Sequence, residues 1–245
     1  MDIMDTTNYP VDQPDSSRYS TLVALCQADL AKNSLFNLPG FLRPSALHDT
    51  LELAKPVIAT KAFVHPRVHN IYFKKTIPDL APDHPALQLR QTANHTICAD
   101  QIEGSAVTQL YYWPAFASFL ADVMQKLGLY PMDDRIAGAN VMTYYDGEAR
   151  NWHFDRSEFT TTLILQAPSN GREFEYLRDL RTDDNPNYGG VAALLNGQLE
   201  TTIYPQAAGT LNVFHYLNTA YRVTPVERDT PRINAVLTYF DAPGR

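Results

Sequence analysis

The chain has 245 residues, 44% of them hydrophobic, and a net charge of −7, so it can bury one core without disulfides or a structural metal. Its acidity does not recommend a nucleic-acid backbone or an anionic membrane as partner. Cys26 and Cys98 make no disulfide framework, and no stretch reaches the ~18 apolar residues of a membrane span. With an acidic start that lacks an apolar core, the expectation is one soluble cytoplasmic domain.

Residues 1–18 are polar, contain Pro10, Pro14 and Ser16-Ser17, and are expected to form a flexible tail. Leu22, Val23, Leu25, Cys26 and Leu30 then recur at helical spacing. Pro44-Ser45 can open a second helix through Leu47, Leu51 and Leu53. After a polar, Pro-rich stretch, a third helix centres on Phe116, Phe119, Leu120, Val123, Met124 and Leu127, with Gly128 placed to end it. From Ala139 the pattern changes to short strands separated by turn residues. The expected strands are 140–144, 152–155, 159–166, 173–177, 199–204, 210–215, 221–226 and 232–240, with turns at Asp146-Gly147 and Asn170-Gly171 and a loop at 183–187. Helices followed by about eight strands predict an α+β chain with a distorted antiparallel barrel or jelly roll. The domain is expected over 19–245, helical to about 138 and β from 139.

His153 and Asp155 are separated by one residue in a predicted strand, which places an imidazole and a carboxylate on one face. Such a pair supplies two of the three ligands of the facial triad that holds non-haem iron. Alternation also groups Arg232, Asn234 and Val236 on one face, and Asn140, Met142 and Tyr144 on another. His65 and His69 stand four apart, but Pro66 argues against a helix, so the segment reads as a loop or strand near the mouth of a site. Arg67, Arg90 and Arg156 are candidate contacts for an anionic substrate.

The ordered set of Asn140 to Gly147, the His153 and Asp155 pair, Arg156 to Phe159, Gly209 to Phe214, Tyr221 to Val226 and Pro231 to Leu237 resembles the Fe(II)/2-oxoglutarate-dependent oxygenase superfamily. The similarity is to its small-molecule branch of free-amino-acid hydroxylases and radical halogenases. It is densest over 139–244 and thinner in 36–42 and 94–111. The resemblance implies a double-stranded β-helix (jelly-roll, cupin-like) core with N-terminal helices packed on it. It implies metal ligation by His153 and Asp155, with Arg232 holding the distal carboxylate of 2-oxoglutarate, a role that suits a planar guanidinium. Asn140 and Tyr144 become candidate contacts for the cosubstrate, and Asn234 and Arg156 for the substrate. The implied activity is O2-using oxidation, by hydroxylation or desaturation, of a small polar metabolite such as an amino acid.

Two departures matter. Halogenases of this branch carry a small residue where this chain has Asp155, so halogenation is disfavoured. Where the pattern has a second histidine the chain has Tyr221, and three readings stay open. The Tyr221 phenolate is the third ligand, which favours Fe(III) or Cu(II) over Fe(II) and a redox cycle without 2-oxoglutarate; or His215, on the face shared with Leu211 and Val213, supplies the missing imidazole; or the metal is lost and the fold binds a carboxylate. The cofactors implied are Fe(II) or another transition metal, copper included, and 2-oxoglutarate.

Overall fold

The structure is a computed structural model that describes residues 2–78, 80–155, 157–167, 170–171, 173–204, 206–215, 217–227 and 230–244. Arg156 therefore lies outside the described residues. Two antiparallel sheets and a layer of helices make up the architecture. The larger sheet has seven strands in the order Leu35–Leu38, Leu211–His215, Phe159–Gln166, Arg232–Leu237, Ala139–Tyr144, His95–Cys98, Phe63–Val64. The smaller has four, in the order Thr202–Tyr204, Phe174–Leu177, Ala220–Val223, Arg150–His153.

Alternation along the strands of the large sheet separates two chemistries. Val141, Leu163, Leu211 and Ala235 are completely buried against helices Ser17–Asn33, Pro44–Lys61, Ala106–Tyr111 and Pro114–Val123. Each valine or leucine contributes about 1.5–3 kcal/mol by leaving water, and Ala235 less, so this face supplies the bulk of the stability. The residues between them, including Thr160, Thr162, Asn212, Arg232 and Asn234, point to the other face, across from the small sheet. There Leu35 and Phe214 of the large sheet pack with Phe174, Tyr176, Tyr221 and Val223 of the small one. Phe174 and Phe214 stack with ring centroids 4.7 Å apart. The space between the sheets is thus an apolar end beside a polar end.

Several expectations need correction. The segment expected as a flexible tail is packed: Ile3, Met4 and Val11 are buried, and the backbone of Met4 bridges Leu42. Asp5 N–H donates to the Phe41 carbonyl and Arg43 N–H to that of Ile3, each at 3.0 Å. Polar composition concealed three apolar side chains spaced along a strap. The part expected to be helical also contributes strands, with Leu35–Leu38 and His95–Cys98 both joining the large sheet. The third helix stops at Val123, before Gly128, because Gln125 already takes a left-handed conformation at φ 54°. Asn170-Gly171 pairs with Val226–Glu227 as a short strand. Helix Tyr188–Leu195 was missed, although Asn187 caps it by accepting from Gly190 N–H at 3.0 Å. Asp155 lies just beyond its strand, which ends at His153.

Candidate active site

The polar end of the inter-sheet space gathers His153, Asp155 and Tyr221. His153 and Tyr221 are register partners on neighbouring strands, with ring centroids 4.1 Å apart. The Tyr221 hydroxyl donates to Asp155 Oδ1 at 2.6 Å, and His153 Nε2 lies 3.7 Å from the same oxygen. Asp155 Oδ2 accepts from the Thr160 hydroxyl at 2.6 Å, which fixes the plane of the carboxylate. His153 Nδ1 lies 2.6 Å from the Asn151 carbonyl, an acceptor only. The ring proton therefore sits on Nδ1, and the Nε2 lone pair faces Asp155 and Tyr221. This is the tautomer a metal-ligating histidine needs.

A fourth residue enters this cluster. Arg150 Nε donates to His153 Nε2 at 2.6 Å, and Arg150 Nη2 stands 3.5 Å from Asp155 Oδ1. Its guanidinium carbon lies 5.8 Å from the Tyr221 ring centre. Strand parity hid this residue, since residues three apart in a regular strand face opposite ways. The pairing changes register here: Tyr221 opposes His153 but Val223 opposes Arg150. That bulge adds one residue to the strand and turns Arg150 onto the face of His153.

The electrostatics follow from burial and this cation. Burial, then Arg150, pushes the His153 imidazole well below its ordinary 6.5. Burial holds the Tyr221 hydroxyl well above 10; Arg150 opposes that rise and Asp155 adds to it. Tyr221 is accordingly a phenol here, donating to the carboxylate. Burial disfavours the charge on Arg150, but Tyr221, Asp155 and Tyr144 outweigh it and raise the guanidinium above its ordinary range.

Arg232 stands at the opposite side of Tyr144, its guanidinium carbon 5.7 Å from that ring. It is 5% exposed, and its side-chain hydrogen bond goes to Gln206 Oε1 at 2.8 Å. Among the described residues no carboxylate pairs with it. Burial lowers its pKa to about 10. A buried guanidinium without a counter-ion is costly, and a ligand carboxylate would offset that cost. Asn234, on the same strand and face, is buried with Oδ1 unpartnered among the described residues, as are Thr162 Oγ1 and Asn212 Nδ2. Asn140 is placed otherwise: its amide donates to the Ala137 carbonyl at 2.9 Å, holding the start of its strand.

The mouth is a cavity of about 80 Å³ lined by His65, Arg67, His69, Phe73, Thr92, Asn94, Met142 and Arg150. A two-stranded ribbon, Arg67–His69 with Arg90–Thr92, forms one wall and is tied to the site by Asn151 Nδ2 donating to the Gln91 carbonyl at 2.7 Å. His69 is buried between Asn70 and Thr92, and its ring lies 6.1 Å from that of His153. A larger cavity, of about 400 Å³, contains none of His153, Asp155, Tyr221 and Arg232. His215 is also elsewhere. It is exposed at the end of a large-sheet strand, stacked on Phe159 at 4.9 Å, with its backbone N–H donating to Ser34. The expected buried orientation fails because the Leu211–His215 strand ends at that residue, so His215 does not supply the missing imidazole.

No protein-family model and no curated protein sequence significantly matches the chain. Solved structures do. The epimerase SnoN from nogalamycin biosynthesis, in complex with Fe3+, alpha ketoglutarate and nogalamycin RO, superposes with a TM-score of 0.60 at 15% identity, covering 91% of this chain and 85% of that one. A Pseudomonas putida prolyl-4-hydroxylase gives 0.53 at 14% identity, covering 88% and 97%. An oxidoreductase of the 2OG-Fe(II) oxygenase family from Burkholderia pseudomallei gives 0.53 at 14%, covering 90% and 91%. The chain therefore shares the fold of 2-oxoglutarate-dependent oxygenases over nearly its whole length. At these identities the likeness is one of fold.

Do the residues fit a metal? Imidazole, carboxylate and phenol are donors a transition metal accepts. Among the described residues no group of three or more His, Cys, Asp and Glu could hold one, and the further oxygen donor beside His153 and Asp155 is the Tyr221 hydroxyl. The three atoms converge, and they fit a cation once Arg150 Nε leaves His153 Nε2.

Proposed function

We propose that this chain is a double-stranded β-helix oxidoreductase that uses a transition metal and O2 to oxidise a small polar molecule. His153, Asp155 and Tyr221 would hold the metal, and Arg232 would hold a carboxylate of 2-oxoglutarate or of the substrate. The observation that carries this reading is the pairing of two complementary demands between the same two sheets. Three converging donor atoms call for a cation, and the buried Arg232 guanidinium calls for an anion. A metal cation among the three donors, with a dicarboxylate held by Arg232 at one end and reaching toward that cation at the other, would meet both. The likeness of fold to proteins crystallised with Fe3+ and alpha ketoglutarate supports the same assignment.

A metal bound here supplies the redox chemistry with O2. The chain's own residues do the rest. His153 presents a neutral Nε2 because its proton is held at the Asn151 carbonyl. Thr160 orients Asp155. Tyr221 would hold the metal as a phenolate, its proton released to solvent, which would make the ligand set more anionic and favour the higher oxidation state. The electropositive mouth, with Arg67 and Arg150 in its lining and no acidic residue there, favours an anionic or zwitterionic substrate such as an amino acid.

Optical spectroscopy tests the assignment. Protein loaded with Fe(III) or Cu(II) should show a visible phenolate charge-transfer band that Tyr221→Phe abolishes. A colourless loaded protein, or a band that survives the substitution, would sink the Tyr221 ligand. The Arg150 to His153 hydrogen bond favours a second reading, a metal-free carboxylate-binding protein with a closed polar network. Metal content after purification without added metal separates the two.

A further inference from the structure

We propose that Arg150 is a tethered cation occupying the metal position, and that any metal must displace its guanidinium toward the mouth. This rests on reading His153, Asp155 and Tyr221 as a metal cradle. The geometry points to the exchange in three ways. Arg150 Nε takes the one lone pair of His153 Nε2 at 2.6 Å, and a lone pair cannot serve a guanidinium and a metal together. Arg150 Nη2 is 3.5 Å from Asp155 Oδ1, the oxygen the phenol also uses, so the same charge neutralises the carboxylate. The Arg150 side chain is also the edge of the cluster, 31% exposed where His153 is 1%, and it lines the mouth cavity with Arg67 and His69. Its exit route is therefore the mouth.

The guanidinium and a divalent cation then compete for one set of donors. In the metal-free protein Arg150 prevents the cost of an uncompensated buried carboxylate. When it swings out, it joins Arg67 at the mouth and adds a second cation where an anionic substrate would enter. Metal uptake and assembly of the substrate subsite become one event.

Co(II) titration of chelator-treated full-length protein tests the exchange, followed by calorimetry, the cobalt absorption bands and thermal melting. Arg150→Ala should bind Co(II) about tenfold or more tightly than the parent, the scale that removing one competing charged hydrogen bond allows. Its metal-free form should melt lower, by about 2–8 °C, and Co(II) should restore the loss. Millimolar guanidinium chloride, well below denaturing levels, should weaken Co(II) binding to Arg150→Ala and leave the parent nearly unchanged. Arg150→Met keeps the aliphatic volume and replaces the alanine variant if that one does not fold. Equal and tight Co(II) affinity in parent and variant would overturn the exchange while leaving the metal cradle intact. Absence of Co(II) binding in both would overturn the exchange and the cradle together. Tighter binding that persists in Arg150→Ala/Tyr221→Phe would keep the exchange and remove Tyr221 as ligand.

Discussion

The two faces of the seven-stranded sheet are built from the same strands, yet they have opposite chemistry. One buries Val141, Leu163, Leu211 and Ala235 without a polar atom on their side chains. The other carries Arg232, with which no carboxylate among the described residues pairs, together with Asn234, Asn212 and Thr162, each with a buried atom unpartnered among those residues. Unmet polar groups lower stability by about 1–3 kcal/mol apiece, so the inner face costs free energy that the helix-covered face supplies. The difference separates residues that hold the fold from residues held ready for a ligand.

Four substitutions or conditions should separate the faces further. Leu163→Ala, on the helix side, should destabilise the protein by about 2–5 kcal/mol through the cavity it leaves, measured by urea denaturation. Carboxylate binding at temperatures where the variant stays folded should be unchanged. Arg232→Met, directly behind it in size, should weaken 2-oxoglutarate binding by about 2–5 kcal/mol, read by calorimetry. Its stability should hold or rise, since a buried cation that no described carboxylate neutralises has gone. A stability loss like that of Leu163→Ala would break the contrast.

Alkali gives a smaller effect on the helix side. Burial raises the Cys26 thiol from 9.0 to about 12 and the Tyr111 hydroxyl from 10.0 to about 12. The unfolded chain loses these protons first, so their contribution is complete below pH 9 and is lost as pH rises toward 12. Denaturation at pH 8 and pH 10.5 should differ by about 2–3 kcal/mol, and Cys26→Ala should reduce the difference. Asn234→Leu should change least, leaving stability level or raising it by up to about 1 kcal/mol, because an unpartnered oxygen is removed. A loss there would mean that Asn234 supports the fold.

Much of this arrangement was legible in the residues. The Phe159–Gln166 strand was legible at its observed bounds because Thr160, Thr161, Thr162 and Ile164 make a β-branched run ahead of the Asn170-Gly171 turn signal. His153 and Asp155 were paired from their spacing and Tyr221 was added by the resemblance, and the fold brings all three together. Arg150 was not legible, because the bulge opposite Val223 breaks the alternation on which such readings depend. Thr160 and Gln206 were not legible for another reason: Thr160 reaches Asp155 across a five-residue turn and Gln206 reaches Arg232 from 26 residues away, and neither spacing is a strand or helix period. His215 misled because alternation says nothing about where a strand leaves the core.

The strap formed by Ile3, Met4 and Val11 bears on how the protein is handled at the bench. Trimming the gene to begin at the first helix, as its polar composition invites, would uncover Phe41 and Leu42, which are otherwise almost wholly shielded. Newly exposed aromatic and aliphatic surface promotes self-association. Poor yield of such a shortened chain would then report a missing cover, with the candidate active site itself untouched.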